Sequence, residues 1–128
     1  MARVNIGAPN LGRKRIVCQI SYDPQLGGER EGLLRLHGYE VISIFGNEAA
    51  EVILSTTNQR CDAFIIGHAA SQNRRCEILI WLKQRFPRIP VVVMNGPETE
   101  PLSGADYNVS LEEQDTWLAA IAVVLGKS

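Results

Sequence analysis

The sequence predicts an α/β domain in which five parallel strands form a doubly wound sheet. The first observation is the run Cys61-Asp62-Ala63-Phe64-Ile65-Ile66-Gly67-His68, apolar in its middle, too short for a helix and without helical caps. Such a run reads as a strand buried on both faces, the signature of the centre of a parallel sheet. The second is that strand patterns and helix patterns alternate along the chain. In open parallel sheets chemistry gathers beyond the carboxyl ends of the strands, which places Gly67 where a reactive side chain is expected.

Each element follows from local pattern. Residues 1–13 contain Gly, Pro and Asn without periodicity and are expected to be a flexible leader, with a single domain over residues 14–128. Ile16 to Ile20 is a strand, and Ser21-Tyr22-Asp23-Pro24 is a turn able to cap a helix. That helix is predicted over Arg30 to His37, because Gly27-Gly28 weakens an earlier start and Gly38 suits a helix end. Tyr39 to Phe45 is the second strand, and Asn47 is placed as the cap of a helix running to Thr56. The third strand is the opening stretch. A helix is predicted from Arg74 to Phe86, stopped by Pro87, then a fourth strand from Pro90 to Met94 and a short last one, Tyr107 to Val109. Ser110 and Glu113 match a capping box for the final helix, which runs to about Leu125 and ends at Gly126. The strand order that fits is the flavodoxin-like 2-1-3-4-5.

Composition bounds the function. A 128-residue chain can bury a core without disulfides or metals. No apolar run approaches the ~20 residues needed to span a bilayer, and Met1 to Asn5 carries no secretory apolar stretch, so no membrane contact and a cytoplasmic location are expected. Cys18, Cys61 and Cys76 lack the spacing of a zinc or redox motif and read as small hydrophobes, so no metal or other cofactor is expected. A formal charge of -1 gives no general attraction to nucleic acid. The charges are nonetheless uneven, with Arg74, Arg75, Lys83, Arg85 and Arg88 basic and the stretch from Glu98 to Asp115 acidic. Two solvated faces, or a polar surface that orients a partner, both fit.

Five segments, in order, carry a resemblance: Leu34 with Gly38-Tyr39-Glu40-Val41; Gly46-Asn47-Glu48-Ala49-Ala50; Asp62-Ala63-Phe64-Ile65-Ile66; Pro87-Arg88-Ile89-Pro90-Val91-Val92-Val93; and Gly104-Ala105-Asp106. From Arg15 to about Leu125 the chain resembles the receiver domains of bacterial response regulators. The resemblance implies phosphoryl transfer to an aspartate that ends the third strand, and this chain has Gly67 there. The acidic pair that holds magnesium in the family corresponds to Ile20-Ser21 or Ser21-Tyr22, the switch threonine or serine to Asn95, and the lysine to the neighbourhood of Ser110. A phosphoryl group needs a carboxylate nucleophile and a cation clamp, and glycine supplies neither. Asp62 lies at the wrong end of its strand, roughly four residues or ~13 Å away. Asp23 is the one acid near the rim, too little for magnesium. His68 reads as a loop histidine, and a Ser21, His68, Asp23 triad lacks an oxyanion hole in the sequence.

A further departure is Asn95 to Gly104, too short and too rich in proline for the helix that receivers carry between the fourth and fifth strands. One flank of the preceding helix is thereby expected to lose its cover. In that helix Ile80 and Trp81 stand where receivers keep charged residues, bordered by Arg74 and Arg85, so they either fill the vacated space or form a partner patch. The expectation is a non-enzymatic pseudo-receiver: a phosphorylation-independent signalling module that binds protein, whether a regulator, a kinase or a second copy as a homodimer. The alternative is a small-molecule sensor using the emptied pocket.

Overall fold

The structure, a computed structural model, describes residues 13–111 and 116–126. Leader residues 1–12, and Glu112 and Glu113 of the expected capping box, lie outside the described residues. The elements are β1 (Ile16–Ser21), α1 (Pro24–Leu36), β2 (Glu40–Phe45), α2 (Asn47–Thr56), β3 (Ala63–Ile66), α3 (Gln72–Arg85), β4 (Val91–Asn95), β5 (Tyr107–Ser110) and α4 (Thr116–Val124). All strand pairs are parallel, in the expected order 2-1-3-4-5. Every residue of β1, β3 and β4 is buried, as strands covered on both faces must be.

Two apolar layers sandwich the sheet. On one side Val17, Ile65, Val92 and Met94 meet Leu34 of α1 and Trp117 and Ile121 of α4. On the other, Cys18, Ile20, Phe64, Ile66 and Val93 meet Leu54 of α2 and Ile78, Leu79 and Leu82 of α3. Full burial of one such aliphatic side chain is worth about 1.5–3 kcal/mol, so these layers supply most of the drive to fold.

Three helix starts differ from the sequence expectation. α1 begins at Pro24, six residues before the predicted Arg30, because Asp23 caps it by accepting from the backbone N–H groups of Gln25 and Leu26 at 2.9 and 3.1 Å. Gly27 is required inside that helix, since a Cβ there would stand 2.7 Å from Ser21 Oγ. α2 is entered through Gly46 at φ 90°, a left-handed conformation suited to glycine, and Asn47 is its first helical residue instead of its cap. The buried Asn47 amide serves a crosslink, accepting from Tyr22 Oη at 2.6 Å and donating to Arg74 O at 2.9 Å. α3 begins at Gln72 under Ser71, whose Oγ accepts from Arg74 N at 3.2 Å.

Residues 96–106 contain no helix. The flank expected to be uncovered is closed by Leu102, 1% exposed and part of the core beside Leu79 and Ala105. Asn108 of β5 fixes this loop, accepting from Leu102 N at 2.9 Å and donating to Leu102 O at 3.0 Å. At the amino end of the sheet two aspartates begin strands. Asp62 accepts from Ile16 N and Asp106 from Val91 N, each at 2.8 Å.

Candidate functional site

The topology brings Ser21, Gly67, Asn95 and Ser110 to the carboxyl ends of β1, β3, β4 and β5, with Asp23 and His68 on the loops beyond them. Gly67 donates its N–H to Ile20 O at 2.9 Å, which continues the sheet by one residue. Ser110 lies opposite Asn95 in the β4–β5 register and is exposed. Asp23 is committed to capping α1.

The buried charges at this end, among the described residues, are two arginines. Arg75 is fully buried on α3, on the face it shares with Ile78, Leu79 and Leu82. Its Nε donates to Gly67 O at 3.2 Å, and its Nη2 donates to Met94 O and to Asn95 Oδ1, both at 2.8 Å. Nη1 reaches Gln72 Oε1 at 3.2 Å. Arg75 therefore ties the ends of β3 and β4 together, and Asn95 extends the tie by donating to Asn108 Oδ1 at 3.1 Å. Arg30 of α1, 6% exposed, donates from Nη1 to Gln19 Oε1 at 2.8 Å. Gln19, fully buried in β1, passes the interaction on through Nε2 to Gly27 O and Ser43 Oγ, both at 2.8 Å, and Ser43 donates to Glu31 at 2.7 Å.

Burial lowers the pKa of both guanidinium groups, against the opposing charge of Asp23 at Arg30 and of Tyr22 and Cys76 at Arg75. His68 is lowered by burial first and by Arg30 and Arg75 next, with Asp23 opposing, so its imidazole is neutral near pH 7. Tyr22 is pushed up to about 12, chiefly by burial. The site thus has a net positive character. Magnesium, which the receiver resemblance implies, does not fit here. The one nearby carboxylate is a helix cap, the nearest buried charges are cations, and among the described residues no group of three or more His, Cys, Asp or Glu is placed to hold a metal.

No family model and no curated protein matches the chain. Solved structures do. A response regulator receiver domain protein from Clostridium thermocellum is similar with a TM-score of 0.77 and 17% identity, over 88% of this chain and 95% of that one. The fold is that of receiver domains. The same receiver fold links the chain to the receiver domain of a signal transduction histidine kinase from Syntrophus aciditrophicus, with TM-score 0.71 and 21% identity over 87% and 89% of the two chains. It also links it to the response regulator TrrA of Thermotoga maritima, solved with Mg²⁺ and BeF, with TM-score 0.69 and 14% identity over 87% and 98%. TrrA is a neighbour as well in its complex with the histidine kinase ThkA.

Within this receiver fold the expected patch divides in two. Ile80 is 57% exposed on the outer side of α3. Trp81 is half-buried against the core, its ring edge-on to Phe86 with centroids 6.1 Å apart and the Arg85 guanidinium 5.2 Å above it. Arg74 forms a two-pronged pair with Glu48 of α2, both contacts at 3.0 Å, and that hydrogen-bonded partner lowers Glu48 to about 2. Arg74 and Trp81, seven residues apart, share one side of α3, the side toward α2, whereas Lys83 faces Asp106 across the other.

Arg30, Arg75, Gln19 and Asn108 escaped the sequence reading, which grouped Arg75 with surface charges. The signal for Arg75 is its spacing of three, four and seven residues from Ile78, Leu79 and Leu82, and for Arg30 its spacing of four from Leu34. Both positions fall on the buried stripes of their helices.

Proposed function

We propose that the chain is a pseudo-receiver, a non-catalytic signalling module of two-component-type regulation that acts in the cytoplasm by binding protein and not by accepting phosphate. One observation carries this. A Cβ built at Gly67 would stand 3.6 Å from Arg30 Nη1, so a guanidinium occupies the surroundings in which receivers collect carboxylates and magnesium. Phosphoryl transfer to a carboxylate needs both the nucleophile and a metal clamp on the transferring group, and the residues here offer neither. Arg75 adds to this by fixing Gly67, Met94 and Asn95 in one arrangement, which suits a module that presents a constant surface.

The test is intact mass under denaturing conditions after incubation with acetyl phosphate and magnesium, and separately with a phosphorylated histidine kinase. No mass change is expected. A gain of one phosphoryl group, lost as an acyl phosphate is lost on mild base treatment, overturns the reading.

The capture of TrrA with ThkA supports a protein partner for a domain of this fold. The surface we assign is the outer side of α3 around exposed Ile80, next to the side toward α2 on which half-buried Trp81 lies between Arg74 and Arg85. If the partner is a second copy, the wild type sediments as a dimer at micromolar concentrations, since the costs of association take back much of what a small apolar patch supplies. Ile80→Glu is then a monomer with an unchanged melting temperature. A wild type that stays monomeric at about 100 μM, far above a micromolar Kd, assigns the contact to a different protein.

A further inference from the structure

Four basic residues meet at the amino end of the sheet, the end away from Gly67. Arg13, Lys14 and Arg15 lead into β1, and Arg60 stands in the segment before β3. They line two adjoining hollows, of about 260 and 460 Å³, that share Arg13 and Arg60. Hollows of this order take a small molecule. The carboxylates on the lining, among the described residues, are Asp62 and Glu40, so four cations face two anions and leave an excess of two positive charges. Residues 1–12 hold Arg3 and no acidic residue, so they cannot cancel that excess.

Arg60 is fixed in advance of any ligand. Its Nη2 donates to Asp62 Oδ2 at 2.9 Å and to Lys14 O at 3.1 Å, and Asp62 is itself held by the Ile16 N–H at 2.8 Å. The other two nitrogens of the guanidinium are unanswered: Nη1 makes no hydrogen bond among the described residues, and Nε is buried without a partner. The Lys14 ammonium, exposed at the rim, is in no ion pair among them. An arginine whose position is already set loses little freedom when it meets an anion, so less of the binding energy is given back.

We propose that this cleft binds the phosphate group of a small phosphomonoester. Such a group is close to dianionic above pH 7, which matches the excess of two positive charges. Its oxygens accept from Arg60 Nη1 and from the Lys14 ammonium, within the field of Arg13 and Arg15. The excess is confined to one hollow of a chain whose formal charge is -1, which suits a small ligand, whereas a nucleic-acid strand needs an extended basic track. The cleft lies at the opposite end of the sheet from Gly67, so it stands or falls apart from the question of phosphoryl acceptance.

The experiment is an amide NMR titration of the whole chain with glycerol 3-phosphate at about pH 7.5, where the probe is a dianion, with sodium chloride adjusted to hold the ionic strength constant. A second arm measures co-sedimentation with phosphatidylcholine vesicles with and without phosphatidic acid, whose headgroup is the same phosphomonoester. Saturable shifts are expected, centred on the amides of Lys14, Arg15, Arg60 and Asp62. Arg60→Gln should weaken the free probe about tenfold or more, and Lys14→Gln, which removes an exposed charge, about threefold. Arg74→Gln, at the carboxyl end of the sheet and paired with Glu48, should leave the affinity unchanged. Binding of the free probe identifies a soluble ligand. Binding only to vesicles that contain phosphatidic acid, lost in Lys14→Gln, places the same group on a lipid. No saturable shift together with no vesicle binding, shifts spread evenly over the basic surface, or an equal loss in Arg74→Gln would each overturn the site. If Arg60→Gln does not fold, the wild-type map and Lys14→Gln decide.

Discussion

At the amino ends of β1 and β4, Asp62 and Asp106 each accept the first strand N–H and pair with a cation, Arg60 or Lys83, both at 2.9 Å. At the carboxyl ends the buried charges are Arg30 and Arg75, answered by carbonyls and side-chain amides without a carboxylate among the described residues. The first arrangement leaves its charges partly in water and serves to start strands in register. The second removes charge from water and uses it to join strands at the edge where chemistry collects in this fold. The difference teaches that the receiver fold does not depend on an acidic pocket: the space can be held by cations if backbone oxygens are turned to meet them.

The largest effect should come from breaking the carboxyl-end tie. Arg75→Met keeps the unbranched stem of the side chain, ending about where Nε stood, but leaves Gly67 O, Met94 O and Asn95 Oδ1 without their donor, and unanswered buried acceptors cost about 1–3 kcal/mol each. With partial relaxation, urea unfolding should show a loss of about 3–5 kcal/mol. A loss below about 1 kcal/mol would mean that water replaces the guanidinium and that the tie is not structural. At the amino end Asp106→Ala should cost less, about 1–2 kcal/mol, because Val91 N loses its acceptor while Lys83 simply returns to solvent. Equal losses at the two ends would erase the contrast.

Acid separates the ends without mutation. Burial alone would raise Asp106, but Lys83 and the Val91 N–H outweigh it and hold the carboxyl below its ordinary value of 3.8. A depressed carboxylate contributes stability that is present above its unfolded pKa and lost as pH falls through its folded one. Protection of the Val91 amide from hydrogen exchange should therefore weaken below about pH 3.8. The Gly67 amide, held to Ile20 O beside arginines that stay charged, should keep its protection relative to Val91 over the same range. Parallel loss at both amides would indicate global unfolding instead of a local acid step.

The fold was largely legible because its signals are local and redundant: continuous apolar runs at β3 and β4, a mostly apolar β1 interrupted by Gln19, turn residues between elements, and prolines that forbid a helix over residues 96–106. Helix starts were less so. Gly27 looked like a breaker because its use, close approach to Ser21, depends on a neighbour that only the fold supplies. The site was legible as a set of missing groups, since Gly67 lacks a carboxylate in any context. What replaced them was not, because arginine is almost always exposed and composition alone gives no reason to bury two. The register of Arg75 with Ile78 and Leu82 held the clue, as did Asn108 only after the loop it grips was placed.

The account stands on a cation, not merely a missing acid, at the end of β3. Gly67→Asp tests that directly, since its Cβ finds ordinary contacts of 3.5–3.6 Å and the new carboxylate lands beside Arg30. The measurement is intact mass under denaturing conditions, with Gly67→Asp and wild type treated side by side with acetyl phosphate and magnesium. The account predicts no phosphoryl gain in either protein, with the restored aspartate held by the guanidinium. Stoichiometric, magnesium-dependent phosphorylation of Gly67→Asp would contradict it, showing that the pocket lacks only its nucleophile.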